Sequence, residues 1–282
     1  LSPSSRIDVL AYAILIMLNN SVIKPTEKTF LIMNYRSETI LKVNGLTKSV
    51  QLEGKLLELL HPIQLEVNAG ESLAIVGSSG SGKTTLLSLL AGLDVPTAGE
   101  VYLKKHPLHQ FNEEQRSEVR AQHVGFIFQQ FLLVSSLTAI ENVMLPAELA
   151  NVPNAEDKAR DLLAKVDLAA REDHYPSQLS GGEQQRVAIA RAFITQPDVL
   201  FADEPTGNLD SVTGQHITKL LFDLNKQNGT TLILVTHDQK LASMCQRQVV
   251  MDSGQLTEVE PEEARPKEAA QSEVTPTIAN AG

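Results

Sequence analysis

The chain has 282 residues, 42% hydrophobic but only 4% aromatic and without Trp, so aliphatic side chains must build its core. Its formal charge of -10 weighs against a protein whose main partner is a nucleic-acid backbone or an anionic lipid surface, because both require clustered Lys and Arg. A single cysteine, Cys245, excludes an internal disulfide framework and a Cys-rich zinc site, and fits a reducing, cytoplasmic setting.

The first notable segment is the apolar run Val9–Leu18 (VLAYAILIML), ended by Asn19 and Asn20. It is about half the ~20 residues that a membrane-spanning helix needs. Arg6 is offset by Asp8, and no small-x-small cleavage pattern follows, so it reads poorly as a secretory signal. Residues 1–37 are therefore expected to be an N-terminal extension without direct membrane insertion. Within it, residues 1–32 read as sequence upstream of a native start at Met33.

Short apolar runs predict strands at Ser72–Val76, His123–Phe128, Val199–Ala202, Thr231–Thr236 and Gln248–Met251. They alternate with helical patterns at Thr84–Ala91 and Glu183–Ile194. That alternation implies an α/β domain over residues 38–257 with a mostly parallel central sheet. Between Ala139 and Ala170 the pattern is helical, with Pro146 and Pro153 read as breaks. It forms part of a helical insertion over about residues 130–178. From residue 258 to 282 the chain has six Glu against Arg265 and Lys267 and no apolar periodicity, so it reads as a disordered acidic tail.

Three motifs carry chemistry. Gly77-Ser78-Ser79-Gly80-Ser81-Gly82-Lys83-Thr84 matches G-x-x-x-x-G-K-[ST] in full. It follows the apolar strand SLAIV and opens a helix that continues with Thr85, the context the motif requires. The glycines let backbone N–H groups curl toward phosphate oxygens, and the helix N-terminus adds partial positive charge. Lys83 is expected on the β- and γ-phosphates, with the Thr84 hydroxyl on Mg²⁺. The second motif is the apolar strand Val199-Leu-Phe-Ala, which delivers Asp203 and Glu204 at its C-terminal end. There Asp203 is placed to hold the metal and Glu204 to act as general base on a water. The third is Leu179-Ser180-Gly181-Gly182-Glu183, where a serine and two glycines open a helix and make a second anion cradle.

The continuation LSGGEQQRVAIARA resembles the signature of ABC ATPases, and the resemblance covers about residues 38–257. It implies a P-loop NTPase of the ABC ATPase fold, α/β, with a mostly parallel core sheet, an antiparallel β subdomain and a helical subdomain. It further implies that Ser180, Gly181 and Gly182 contact the γ-phosphate of ATP held by a second copy of the chain. By the same resemblance Gln129, after the strand VGFIF, senses Mg²⁺ and links the core to the insertion. Gln130 is its neighbour, but the F-Q pattern favours Gln129. Gly207-Asn-Leu-Asp210 resembles the loop that crosses the dimer interface, and His237 in LILVTHD the histidine that contacts the γ-phosphate and orients the water.

One element of the family pattern is missing. These ATPases usually stack adenine on an aromatic residue upstream of the P-loop. Residues 46–70 contain no Phe, Tyr or Trp, and Val50 stands near the usual position. Loss of a stacking ring removes ~1–3 kcal/mol and predicts poorer discrimination between ATP and GTP.

The resemblance thus implies an ATP-hydrolysing subunit that closes as a head-to-tail homodimer over two ATP molecules. The sequence between Val124 and Asp210 is most similar to the lipoprotein-release and macrolide-export group (LolD and MacB), and within it to the YbbA type. Such ATPases are implied to drive FtsX-like permeases, peripheral on the inner face of the cell membrane. A soluble ABC ATPase acting on nucleic acid or the ribosome is the alternative. It would need a coiled-coil insertion or a second cassette, and the chain has one cassette, no heptad run and an acidic balance.

Overall fold

The computed structural model describes residues 38–52 and 54–259. The readings made of residues 1–37, and of the acidic tail beyond residue 259, lie outside the described residues. In chain order the elements begin with β1 (Thr39–Leu52), β2 (Lys55–Asn68), β3 (Ser72–Val76), α1 (Lys83–Leu90), β4 (Ala98–Leu103) and β5 (His106–Pro107). Next come α2 (Glu113–His123), β6 (Val124–Ile127), α3 (Ala139–Leu149), α4 (Ala155–Lys165), α5 (Gly181–Phe193) and β7 (Val199–Asp203). The rest are α6 (Ser211–Asn228), β8 (Thr231–Thr236), α7 (Gln239–Ala242), β9 (Arg247–Asp252) and β10 (Gln255–Glu258).

The core is a six-stranded sheet in the order β10-β9-β3-β8-β7-β6. Strands β9, β3, β8, β7 and β6 pair in parallel, and β10 runs antiparallel on the edge. Side chains of β3 are buried throughout, which explains its unbroken apolar run: a parallel strand covered on both faces has no polar side. Alternation appears instead in which layer each side chain joins. Leu73, Ile75, Phe201, Ile233 and Val235 pack toward α1 and the antiparallel sheet. Ala74, Val76, Leu200, Ala202, Leu232 and Leu234 pack toward α5 and α6.

The second sheet is antiparallel, in the order β2-β1-β4-β5. Leu52 faces Lys55 across a hairpin turn in which Gly54 takes φ +79. Ile63, Leu65 and Val67 are buried while Gln64 and Glu66 are exposed, the period-two pattern of a sheet with one wet face. A cluster of charges joins this sheet to the core. Lys104 Nζ lies 2.7 Å and His123 Nδ1 2.8 Å from Asp198 Oδ2, and the rings of His106 and His123 stack at 5.4 Å.

Between β6 and α5 lie α3 and α4. A capping box between Thr138 and Glu141 starts α3, and the fully buried Asn142 amide bonds the carbonyls of Val134, Leu137 and Thr138. Three expectations need correction. Pro146 does not break the helix but lies inside α3. Its missing N–H costs one helical bond, while Ile140, Val143 and Ala147 hold the segment in the core. His123 ends α2 instead of opening β6, its ring drawn to Asp198. Strand β10 also runs through Glu258, the first residue of the expected tail, whose carboxylate pairs with Arg247.

Candidate nucleotide site

The loop between β3 and α1 curls over the end of the core sheet. Gly77 permits this by close approach, since a Cβ there would stand 2.1 Å from the Met251 carbonyl oxygen of β9. Gly82 takes φ 104 as the residue before α1, a conformation that disfavours any side chain. The first turn of α1 holds no acidic residue, so the positive end of the helix dipole is uncompensated. The loop is braced from behind by the β9–β10 turn, where the Gly254 N–H donates to Ser81 O at 3.0 Å and Gly254 O accepts from the His61 N–H. Lys83 is 8% exposed, and its ammonium donates to the carbonyls of Gly77 and Ser78 at 2.8 Å each.

Next to this loop lies a cavity of about 580 Å³. Ser79, Gly80, Gly82, Lys83, Thr84 and Thr85 line one side, and Gln129, Asp203, Glu204 and His237 the other. Gly77, Ser78 and Ser81 belong to the same loop but do not line the cavity. The Ser81 hydroxyl is buried and has no hydrogen-bond partner among the described residues. Gln129 lines the cavity and Gln130 does not. The Gln129 carbonyl accepts from Asn208 Nδ2 at 2.8 Å.

The two acids differ in environment. Thr84 Oγ1 donates to Asp203 Oδ2 at 3.2 Å. Burial pushes the Asp203 carboxyl above the usual carboxylate range; the Thr84 bond opposes that shift and the Glu204 charge adds to it. Glu204 has φ +46, a left-handed backbone conformation that costs ~1–3 kcal/mol in a residue with a side chain. Its N–H donates to Val235 O at 2.9 Å and its carbonyl accepts from the Gly207 N–H at 3.0 Å. Its Oε1 lies 2.8 Å from His237 Nδ1, and its Oε2 accepts from Thr236 Oγ1 at 3.3 Å.

Ser180, Gly181 and Gly182 do not line this cavity. They form the N-terminal end of α5, where Ser180 caps the helix. Ser180 N–H and Oγ both donate to Glu183 Oε2 at 2.8 Å. The Ser180 N–H first, and its hydroxyl second, hold the Glu183 carboxyl below its ordinary range. A Cβ on Gly182 would stand 2.6 Å from Thr213 Cγ2 of α6, so this glycine allows the two helices to meet.

Sequence reasoning did not assign Leu59 or Thr236. Leu59 is the aliphatic side chain that reaches the cavity where an aromatic ring was sought. It falls where the β1–β2 register shifts between Lys48 and Ser49, a displacement with no sequence signal. Val50 faces Leu57 across the hairpin and does not line the cavity.

A strand–loop–helix cradle whose lysine and threonine face two acids at the end of a strand two positions away in a parallel sheet defines a P-loop ATPase. The pattern of the ABC transporter family matches residues 60–207, and the chain belongs to that family as an ATP-binding cassette. It is 54% identical over 224 residues to the uncharacterized ABC transporter ATP-binding protein YbbA of Escherichia coli (strain K12), covering 79% of this chain and 98% of that protein. It is 46% identical over 222 residues to the lipoprotein-releasing system ATP-binding protein LolD of Legionella pneumophila (strain Paris), covering 78% and 98%. Among solved structures it resembles the dimeric bacterial ABC transporter cassette MJ0796, with TM-score 0.72, 37% identity, and 78% and 99% of the two chains covered. A post-hydrolysis dimer of that cassette bound to ADP and Pi aligns with the same TM-score of 0.72.

Proposed function

We propose that the chain is the ATP-hydrolysing subunit of a membrane transport or mechanotransmission complex. It closes as a head-to-tail homodimer on ATP and drives a separate FtsX-like permease from the inner face of the cell membrane. The observation that carries this reading is the convergence of Lys83, Thr84, Asp203, Glu204 and His237 on one cavity.

Lys83 and the N-terminus of α1 bind the phosphates. In the absence of phosphate oxygens the Lys83 ammonium rests on the loop's own carbonyls, so it needs only to exchange acceptors. Thr84, Asp203 and Gln129 supply oxygen donors only, which suits a hard cation such as Mg²⁺ rather than zinc. When bound, Mg²⁺ would neutralise charge on the β- and γ-phosphates. Glu204 takes the proton of the attacking water as general base. His237 holds that carboxylate through Nδ1, leaving the rest of a largely exposed ring free to face the γ-phosphate.

Two observations support the dimer reading. The Ser180–Gly182 helix end stands outside its own chain's cavity, so its anion cradle is offered elsewhere, and the similar cassette MJ0796 was solved as a dimer. The permease reading draws on the LolD relatives. It draws also on exposed apolar side chains in the helical insertion, Leu132 and Leu149 among them. Among the described residues no helix is long and apolar enough to cross a membrane, so a span must come from elsewhere.

The test is ATP turnover in membranes with and without a co-expressed FtsX-like permease, with Glu204→Gln as the blank. Turnover that needs Glu204 and changes with the permease supports the reading. Turnover indifferent to the permease but stimulated by DNA or ribosomes would overturn it.

A further inference from the structure

Gln185 is fully buried in the second turn of α5. Its Nε2 donates to the Pro205 carbonyl at 2.6 Å, and its Oε1 has no hydrogen-bond partner among the described residues. A Met or Leu would fill this space without leaving a buried acceptor unpaired, so packing alone does not account for the amide. What the amide holds is the carbonyl of Pro205, the residue that follows Glu204.

Glu204 is the residue that needs holding. Its φ of +46 is strained, and strained backbone persists only where its surroundings over-determine it. Two of its restraints come from nearby sheet and loop: the Glu204 N–H bond to Val235 O, and the Gly207 N–H bond to Glu204 O. The third, on the next residue's carbonyl, is the Gln185–Pro205 bond, and it comes from α5, whose N-cap is Ser180.

We infer that Gln185 is a positioning residue that holds Glu204 in its left-handed turn and ties that turn to the Ser180–Gly182 helix end of the same chain. It does not line the cavity, so it acts only through Glu204. The inference rests on Glu204 being the base proposed above. In that reading Ser180–Gly182 meets a nucleotide held by a second copy of the chain. Displacement of α5 on closure then reaches the chain's own base through one hydrogen bond.

The experiment measures steady-state ATP hydrolysis by the full chain. Gln185→Met keeps length and volume but removes the donor. The expected result is a kcat lowered about tenfold or more with KM for ATP within about twofold, since positioning of the base matters for turnover and not for binding. In the Glu204→Gln background, adding Gln185→Met should change the residual rate by less than about twofold, because no base remains to be placed. If Gln185→Met does not fold cooperatively on heating, Gln185→Leu takes its place. Wild-type kcat in a folded Gln185 variant overturns the inference, and so does an equal loss with and without Glu204. Full turnover in Glu204→Gln alone removes the proposed function and this inference together. Loss of turnover in Glu204→Gln with wild-type kcat in Gln185→Met removes the inference alone.

Discussion

His237 Nδ1 lies 2.8 Å from Glu204 Oε1, and the two residues follow the ends of adjacent parallel strands. The carboxylate is mostly shielded, with side-chain exposure of 14%, while the imidazole is 70% exposed. The pair is built by register: Asp203 stands opposite Val235, so each chain segment leaves the sheet at the same level. One acid then faces Thr84 and the next faces the histidine.

Glu204→Gln should lower kcat by about 10²-fold or more, within the range contributed by a general base, while ATP binding is retained. Phosphate release under saturating ATP and Mg²⁺ gives the rate, and light scattering should show an ATP-dependent dimer that persists longer than the wild type's. Undiminished phosphate release would remove Glu204 from the role of base.

Leu59→Tyr should strengthen nucleotide binding by about 1–3 kcal/mol, the worth of a base–aromatic contact, and raise the preference for ATP over GTP. The site now offers Leu59, an aliphatic contact, where a ring would stack. Paired competition binding of ATP and GTP to both proteins checks this; an unchanged ratio and affinity would show that position 59 is not placed beside the base.

How far the sequence was legible depended on how local each determinant is. Strands such as Ser72–Val76 and Thr231–Thr236 could be read because burial on both faces makes them continuously apolar. The hairpin of β1 and β2 could not be read that way, and entered only through the family resemblance. Its alternation is interrupted by register shifts, one of them between Val43 and Leu46 at Gly45. The P-loop and the paired acids were legible as contiguous motifs, while His237 entered through the family resemblance. Leu59, Thr236 and Gln185 owe their positions to neighbours far away in sequence, which no motif reports.

Acid should destabilise the fold through three helix-capping carboxylates. Glu141 is held below its ordinary range by the Thr138 N–H and hydroxyl, Glu183 by those of Ser180, and Asp210 first by the Thr213 side chain and then by the N–H groups of Thr213 and Val212. A carboxyl with a depressed folded-state pKa stabilises the fold above its unfolded value and loses that contribution as pH falls through the folded value. The contribution of these groups to Tm should therefore be flat from about pH 6 to 8 and decline below about pH 4. Calorimetry across that range tests it, and Glu183→Gln should show a shallower acid decline than the wild type.

Asp198→Ala should reduce unfolding free energy by about 0.5–1 kcal/mol, as for a partly exposed ion pair, with the unfolding m-value unchanged. Burial opposes the Asp198 charge, but hydrogen bonds from Lys104 and His123 outweigh it and leave its pKa lowered. The substitution would leave Lys104 and His123 without their acceptor at the seam between the two sheets. Urea titration provides the measurement. A loss under about 0.3 kcal/mol would mean that solvent already screens the cluster.

The bond from Gly254 to Ser81 joins the last hairpin of the sheet to a loop more than 170 residues earlier. The phosphate cradle is therefore not a self-contained motif that could be transplanted with its strand and helix alone; its curvature is moulded against the far end of the domain. Any ligand that stiffens the cradle should slow amide exchange in β10, and any truncation that peels β10 away should slacken the grip on phosphate.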